Sequence, residues 1–345
     1  MKTLRDFDVK NKRVLVRCDF NVPLDDQGNI LDGFRIKQTL PTINYLIEKG
    51  AKVILMSHLG RPEGRVVESL RLTPVQNRLM EYLDLSITKA PDCIGEEIKK
   101  WTMEMLPSEI LLLENLRFHK EEEENDESFA KTLSKLGDIY INDAFGVCHR
   151  AHASTIGIPK YLPSGAGLLL EKEVKVLREL MENATPPLVA IIGGKKAETK
   201  VKVIDKISEI GDWVLVGGLI QKEIKEKDIR LKFPQKIIGP VDEIEGKDIG
   251  PETCELFKRK IVLAKTIFWS GPLGIIEEEE FSKGSESVAQ AIIKSSAFSV
   301  VGGGETIEFI NKIGLTEKFN HLSTGGGAML KFLSGQPLPG IKALE

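Results

Sequence analysis

Short apolar runs, each ending in a polar or glycine-rich turn and followed by helical periodicity, recur along this chain and limit its fold more than any other feature. In the first half, residues 14–17 run into Asp-Phe-Asn, 52–56 into SHLGRP, 110–113 into ENLRF and 139–141 into NDAFG. In the second half, 189–192 run into GGKK, 213–216 into GG, 266–269 into SGPLG and 298–301 into GGGET, with a weaker run at 321–323 into TGGG. Strands alternating with helices predict right-handed βαβ units and parallel sheets covered on both faces. Ligands of such sheets bind beyond the carboxyl ends of the strands. Nearly all the unusual polar residues of this chain fall there.

The stretch 142–187 separates two halves of different chemistry. Its middle is rich in Pro and Gly, and its last third has an amphipathic pattern in Leu168, Leu169, Val174, Leu177, Leu180 and Met181. Pro186-Pro187 cannot continue a helix. A helix bounded in this way reads as a connector, so two domains facing each other across a hinge are expected. A length of 345 residues also exceeds one ordinary core. With 41% hydrophobic and 29% charged residues, the composition is that of a soluble globular protein. The net charge of −3 argues against general nucleic-acid binding, and no run of 18 apolar residues suggests a membrane span. Cys18, Cys93, Cys148 and Cys254 are scattered, with neither CxxC nor metal-ligand spacing, which fits reduced thiols in the cytoplasm.

The turns of the first half carry Arg35, His58, Arg61, Arg117, His149, Arg150 and His152. Planar guanidinium forks grip carboxylate and phosphate oxygens in pairs, so arginines at several strand ends suit a small, doubly anionic molecule. Taken singly, each arginine also fits a surface ion pair. His149 and His152 lack a helix-face metal spacing and a third ligand, and Cys148 beside His149 is poorly placed to be activated by it. The acidic runs 121–124 and 277–280 read as solvated helix starts. In the second half, VGGGE and STGGGA read as strand, tight turn and helix start, with Glu305 in one first turn and Ser323 and Thr324 as cap candidates of the other. Helix starts offer free amides and a positive dipole end to phosphate. Lys196 and Lys200, four apart, would share one face of a following helix. The chain contains neither GxxxxGK[ST] nor GxGxxG, which disfavours a nicotinamide dehydrogenase.

In order along almost the whole chain, RCDFNVPL, SHLGRP, LLLENLRFHKEEE, NDAFG with HRAHAST, IGG with two spaced lysines, GPLG, VGGGE, STGGGA and LPGI closely resemble the phosphoglycerate kinase family. The resemblance implies an α/β fold of two doubly wound, Rossmann-like parallel-sheet domains joined by a hinge helix. It implies a phosphoglycerate domain at 1–169, with 332–345 packing back on it, and a nucleotide domain at 170–331. The implied reaction is reversible phosphoryl transfer between 1,3-bisphosphoglycerate and ADP, giving 3-phosphoglycerate and ATP in glycolysis, with Mg²⁺. By position, Asp19, Phe20, Asn21, Arg35, His58, Leu59, Gly60, Arg61, Arg117 and Arg150 match the phosphoglycerate pocket. Arg35, Lys196, Lys200 and Gly326 match the groups around the phosphoryl in flight. Gly194, Lys200, Glu277, Gly303, Gly304, Glu305 and Thr306 match the nucleotide site, with Glu305 as the Mg²⁺ carboxylate. Small-molecule substrates, no nucleic acid, no membrane and a cytoplasmic monomer complete the expectation.

Several positions depart from the family. Glu305 stands where the family usually has Asp, Thr199 where Asp is common, and Lys195 where a small residue is usual. Ser270 replaces a usual Asn. After 213–218 the long region that helps wall the adenine pocket is shortened, and Lys247 lies where an apolar residue usually meets the base. The second domain is therefore expected to be short, with a more exposed base. This shortening also leaves a second reading, a homologue that binds phosphoglycerate or nucleotide without turnover.

Overall fold

The computed structural model describes residues 1–345, and the chain divides into two compact units, Met1–Glu173 with Pro337–Glu345, and Val174–Gln336. In the first unit the strands are β1 (Arg13–Arg17), β2 (Lys52–Met56), β3 (Thr88–Lys89), β4 (Ile110–Leu112), β5 (Ile139–Asn142) and β6 (Ser164–Ala166). They form one parallel sheet in the order β3-β4-β2-β1-β5-β6. In the second unit β7 (Leu188–Ile192), β8 (Trp213–Val216), β9 (Ile237–Ile238), β12 (Thr266–Ser270), β13 (Phe298–Gly302) and β14 (His321–Leu322) form another. Its order is β14-β13-β12-β7-β8-β9, again all parallel. Between β9 and β12, β10 (Glu243–Ile244) and β11 (Asp248–Ile249) pair as a small antiparallel hairpin.

Helices on both faces leave the central strands no solvent side, and their continuous apolar runs follow from that. Val14, Leu15, Val16, Val53, Ile54 and Leu55 are fully buried in one sheet, and Val189, Ala190, Ile191, Ile267, Phe268 and Trp269 in the other. Each such large side chain contributes roughly 1.5–3 kcal/mol on burial. Chain order reverses between β1 and β5 in the first sheet and between β7 and β12 in the second. Those are the points where an open α/β sheet leaves a crevice at its carboxyl edge.

The expected connector is the helix Leu168–Glu182, and the chain passes from one unit to the other within it. Its first turn is fastened by Asp143, whose Oδ1 accepts from the amides of Leu169 (2.9 Å) and Leu170 (3.2 Å). Burial pushes this carboxyl up to about 7. Gly167 is obligatory at that joint, since a Cβ there would lie 2.1 Å from Asp143 Oδ1. At the carboxyl end of the chain, Gly340 donates to the Cys148 carbonyl (2.9 Å) within the first unit.

Candidate active site

In the first unit, polar residues converge just beyond the ends of β1, β2 and β4. Phe20 N donates to Ser57 Oγ (2.9 Å), and Gly60 N donates to Asn21 Oδ1 (2.8 Å), which ties the turn after β1 to the turn after β2. Asn115 joins β4 to them, its Nδ2 donating to Leu59 O (2.8 Å) and its Oδ1 accepting from Arg117 N (3.1 Å). Arg117 is 3% exposed and donates from Nη1 to Gly60 O (2.8 Å). Arg35 reaches in from the helix Phe34–Glu48, donating to Asp19 Oδ2 (3.2 Å) and Asn21 O (3.0 Å). Each guanidinium has five N–H donors, so both retain capacity for an anion.

Beneath them lies a charge network that sequence reading missed. Arg17, fully buried at the end of β1, donates to Ser154 Oγ (2.8 Å) and to Cys18 O (2.5 Å). Glu122, also fully buried, accepts from Ser154 N (2.8 Å) and Ser154 Oγ (2.5 Å) and lies 3.8 Å from Arg17. Burial and then the guanidinium groups of Arg17, Arg117 and Arg35 hold His58 well below its ordinary value. Burial, with Arg117 and Arg17, brings His152 down to about 3. Both histidines are therefore neutral at physiological pH and leave the positive charge on arginine. Arg61 is exposed and stays outside the hydrogen-bonded set, whereas Arg150 is close enough to depress Arg117 and His152.

In the second unit, a cleft opens at the carboxyl ends of β7, β8 and β12. Gly194, Gly217, Gly218 and Pro272 form its floor; Leu219, Leu273, Ile275 and Ile276 line it, with Lys195, Lys247, Glu277 and Glu305 at its edges. Two turns cross at that floor, with Gly193 N donating to Ser270 O (3.0 Å) and Gly194 N to Pro272 O (2.7 Å). Only glycine fits at Gly193, where a Cβ would sit 2.0 Å from Pro272 O. Lys200 is 9% exposed and donates its ammonium to Gly193 O. Burial lowers it to about 8, partly offset by the Glu305 and Glu223 carboxylates. The helix Gly304–Lys312 starts from Gly303 (φ +104°), and Thr306 Oγ1 accepts from Gly271 N (2.9 Å), locking this helix start to the β12 turn. The helix Gly326–Leu333 starts alongside, a Cβ on Gly326 falling 2.9 Å from Gly303 Cα.

Several expectations need correction. The run 121–124 is not wholly solvated, because Glu122 faces inward to Ser154. Lys196 and Lys200 do not share a helix face, since the helix begins only at Val201 after a 3₁₀ turn, Ala197–Thr199. Lys196 is exposed in a left-handed conformation (φ +64°), and its amide donates to Glu223 Oε1 (3.0 Å). Ser323 and Thr324 do not cap the last glycine-led helix; Gly325 is its N-cap. The cleft also keeps a wall where the sequence suggested a loss. The β10–β11 hairpin turn places Gly246 and Lys247 along it, and Ile275 N donates to Lys247 O (3.1 Å). Lys247 Nζ lies 4.2 Å from the Phe281 ring centre and 3.5 Å from Glu278. Cys148 is a packed thiol, pushed up to about 12 by burial and donating to Ala144 O (3.4 Å).

Two doubly wound units, one with guanidinium groups clustered at strand ends and one with a lysine and glycine-led helix starts around a cleft, define a phosphotransferase. The phosphoglycerate kinase family model matches residues 4–230 and 221–336, two stretches that overlap at 221–230. The phosphoglycerate kinase of Pelotomaculum thermopropionicum is 42% identical over 388 aligned positions, covering 99% of this chain and 98% of the relative. That of Borrelia garinii subsp. bavariensis is 44% identical, covering 100% and 99%. Alignments of this length against 345 residues mean that the relatives carry segments this chain lacks. The solved phosphoglycerate kinase of Pyrococcus horikoshii superposes with a TM-score of 0.89 at 34% identity, covering 100% of this chain and 98% of that one. The chain belongs to the phosphoglycerate kinase family. It is a glycolytic kinase that transfers phosphate to and from a carboxyl group, with ATP and ADP as substrates. The comparisons give no support to a homologue without turnover.

Proposed function

We propose that the first unit binds the phosphoglycerate and the second the nucleotide. The observation that carries this assignment is the contrast between the two strand-end sites. The first unit gathers the planar forks of Arg35 and Arg117 near neutral histidines, and the second holds a cleft lined by Leu219, Leu273, Ile275 and Ile276, with Glu305 of a glycine-led helix start in its lining. Asp19, Phe20, Asn21, His58, Leu59, Gly60, Arg61, Arg117 and Arg150 would form the phosphoglycerate pocket, with Asp19 and Asn21 holding Arg35 in place. Arg35, Lys196, Lys200 and the amide of Gly326 would balance charge on the transferring phosphoryl group. Gly194, Gly303, Gly304 and Thr306 would seat the nucleotide phosphates, and Glu277 the ribose.

Transfer toward ATP forms a bond from the ADP β-phosphate oxygen to phosphorus and breaks the bond to the acyl oxygen, leaving a carboxylate. That nucleophile is already anionic, so these residues need only position and neutralise. Glu305 fits Mg²⁺, because it puts an exposed hard-oxygen donor at the cleft edge, and one carboxylate with phosphate oxygens and water is a common set for that ion. The ion would supply further neutralisation of the nucleotide phosphates.

We also propose that the protein works as a cytoplasmic monomer, which analytical ultracentrifugation of the purified chain would check. Calorimetric titration tests the assignment of units. Arg117→Ala should weaken 3-phosphoglycerate at least about tenfold and leave ADP unchanged, and Lys200→Ala should do the reverse. The opposite pattern, or equal losses for both ligands in both variants, overturns the assignment.

A further inference from the structure

A second cluster in the first unit takes no part in the chemistry above. Asp92 and Cys93 follow β3, and His119 follows the 3₁₀ turn Leu116–Phe118 beyond β4. Because β3 and β4 pair in parallel, their carboxyl ends emerge side by side. One donor atom from each of Asp92, Cys93 and His119 lies within 4.8 Å of the other two. His119 Nε2 is 2.7 Å from Asp92 Oδ1, and Cys93 N donates to the same oxygen (2.6 Å).

We propose that Asp92, Cys93 and His119 form a binding site for a borderline-soft divalent cation of the zinc type, its coordination completed by water. The donor set decides the class of ion. Sulfur, imidazole and carboxylate together suit zinc or cobalt, whereas magnesium keeps to oxygen. In a tetrahedral site built from ordinary bond lengths, the donor atoms stand roughly 3.3–3.8 Å apart. The His119 and Asp92 donors, now 2.7 Å apart, must open to that spacing, and all three donors already lie within 4.8 Å of one another.

The surroundings favour such a site. Cys93 is fully buried, while the Asp92 and His119 side chains remain 46% and 24% exposed, which leaves a path of entry and room for water. The His119 ring rests against Phe129 with centroids 5.3 Å apart, and its amide donates to Leu116 O (3.2 Å). Asp92 O accepts from Glu114 N (3.3 Å). Binding displaces the protons of the Cys93 thiol and, where it is charged, of the His119 imidazole, and so replaces the present hydrogen bond with two metal bonds. The ion would join two strand ends beside the turn that carries Arg117 and thereby brace the arginine pocket.

The test uses the full chain, reduced and freed of metal with a chelator, in buffer containing excess Mg²⁺. Titration with Co²⁺ should produce a thiolate-to-cobalt charge-transfer absorption that saturates at one equivalent and is bleached by Zn²⁺. Cys93→Ser should abolish the absorption, and His119→Gln, a change at a partly exposed ring, should weaken Co²⁺ binding at least tenfold while circular dichroism stays that of the folded protein. The proposal is overturned if the unaltered chain gives no such absorption, if Cys93→Ser keeps it, or if His119→Gln binds Co²⁺ as tightly as the parent.

Discussion

Raising the pH should weaken ADP binding through Lys200. Lys200 is 9% exposed, and burial holds its ammonium at about 8 in the free protein. At pH 8–9 the terminal phosphate of the diphosphate is almost fully ionised, so there the nucleotide's own titration adds little. A bound polyphosphate beside the ammonium favours its charged form and returns it toward or beyond the ordinary lysine value of about 10.4. Binding therefore takes up a proton wherever the free lysine is neutral and the bound one charged, which is the window above pH 8. At pH 7 nearly all Lys200 is already charged and affinity is at its plateau. By pH 9 about nine-tenths of it is neutral in the free protein, so affinity should fall about tenfold, or roughly 1.4 kcal/mol. Calorimetry between pH 7 and 9, repeated in buffers of different ionisation enthalpy, measures both the affinity and the proton uptake. Lys200→Met should bind weakly and without this pH dependence. A flat profile for the unaltered protein, or proton release on binding, would refute the reasoning.

Glu122→Ala should cost about 3–5 kcal/mol, because it strands the buried Arg17 without its carboxylate, and the melting temperature should drop on the order of 10 °C. An unchanged melting temperature would show that this carboxylate is dispensable. Glu305→Gln should raise the Mg²⁺ concentration needed for half-maximal rate severalfold; an unaltered Mg²⁺ titration would reduce Glu305 to a residue that complements the helix dipole. Base selectivity should be weak, with GDP used within about tenfold of ADP, since the cleft proposed for the nucleotide offers a base Leu219, Leu273, Ile275 and Ile276 rather than buried polar side chains. A kcat/KM preference for ADP above a hundredfold contradicts this.

The central strands were legible because a strand buried on both faces must be continuously apolar, as in β2 and β12. The edge strands β3, β6 and β9 were not, since two or three residues at a sheet margin leave no such run. Arg17 hid inside an apolar strand, although a guanidinium there cannot be solvated and so must have a buried partner. That partner, Glu122, hid in an acidic run that composition alone marks as surface. Its burial depends on Ser154, which only the tertiary fold brings to it. Helical spacing misplaced Lys196 and Lys200 because the left-handed residue at 196 and the 3₁₀ turn after it postpone the helix. The β10–β11 hairpin was invisible for the same reason as the edge strands, and with it the replacement wall of the cleft. Asp92 and Cys93 follow one strand end and His119 follows another, so no spacing along the chain could announce the three together.

The most direct measurement is ATP formation from 1,3-bisphosphoglycerate and ADP by the purified chain in a coupled assay, with Arg35→Ala beside it. The unaltered protein should turn over, and Arg35→Ala should lose at least about 10²-fold in kcat with ADP affinity unchanged, because its guanidinium acts on charge developing in the transition state. No ATP formation by the unaltered chain, or an Arg35→Ala variant that loses only phosphoglycerate affinity and keeps its kcat, would contradict the account.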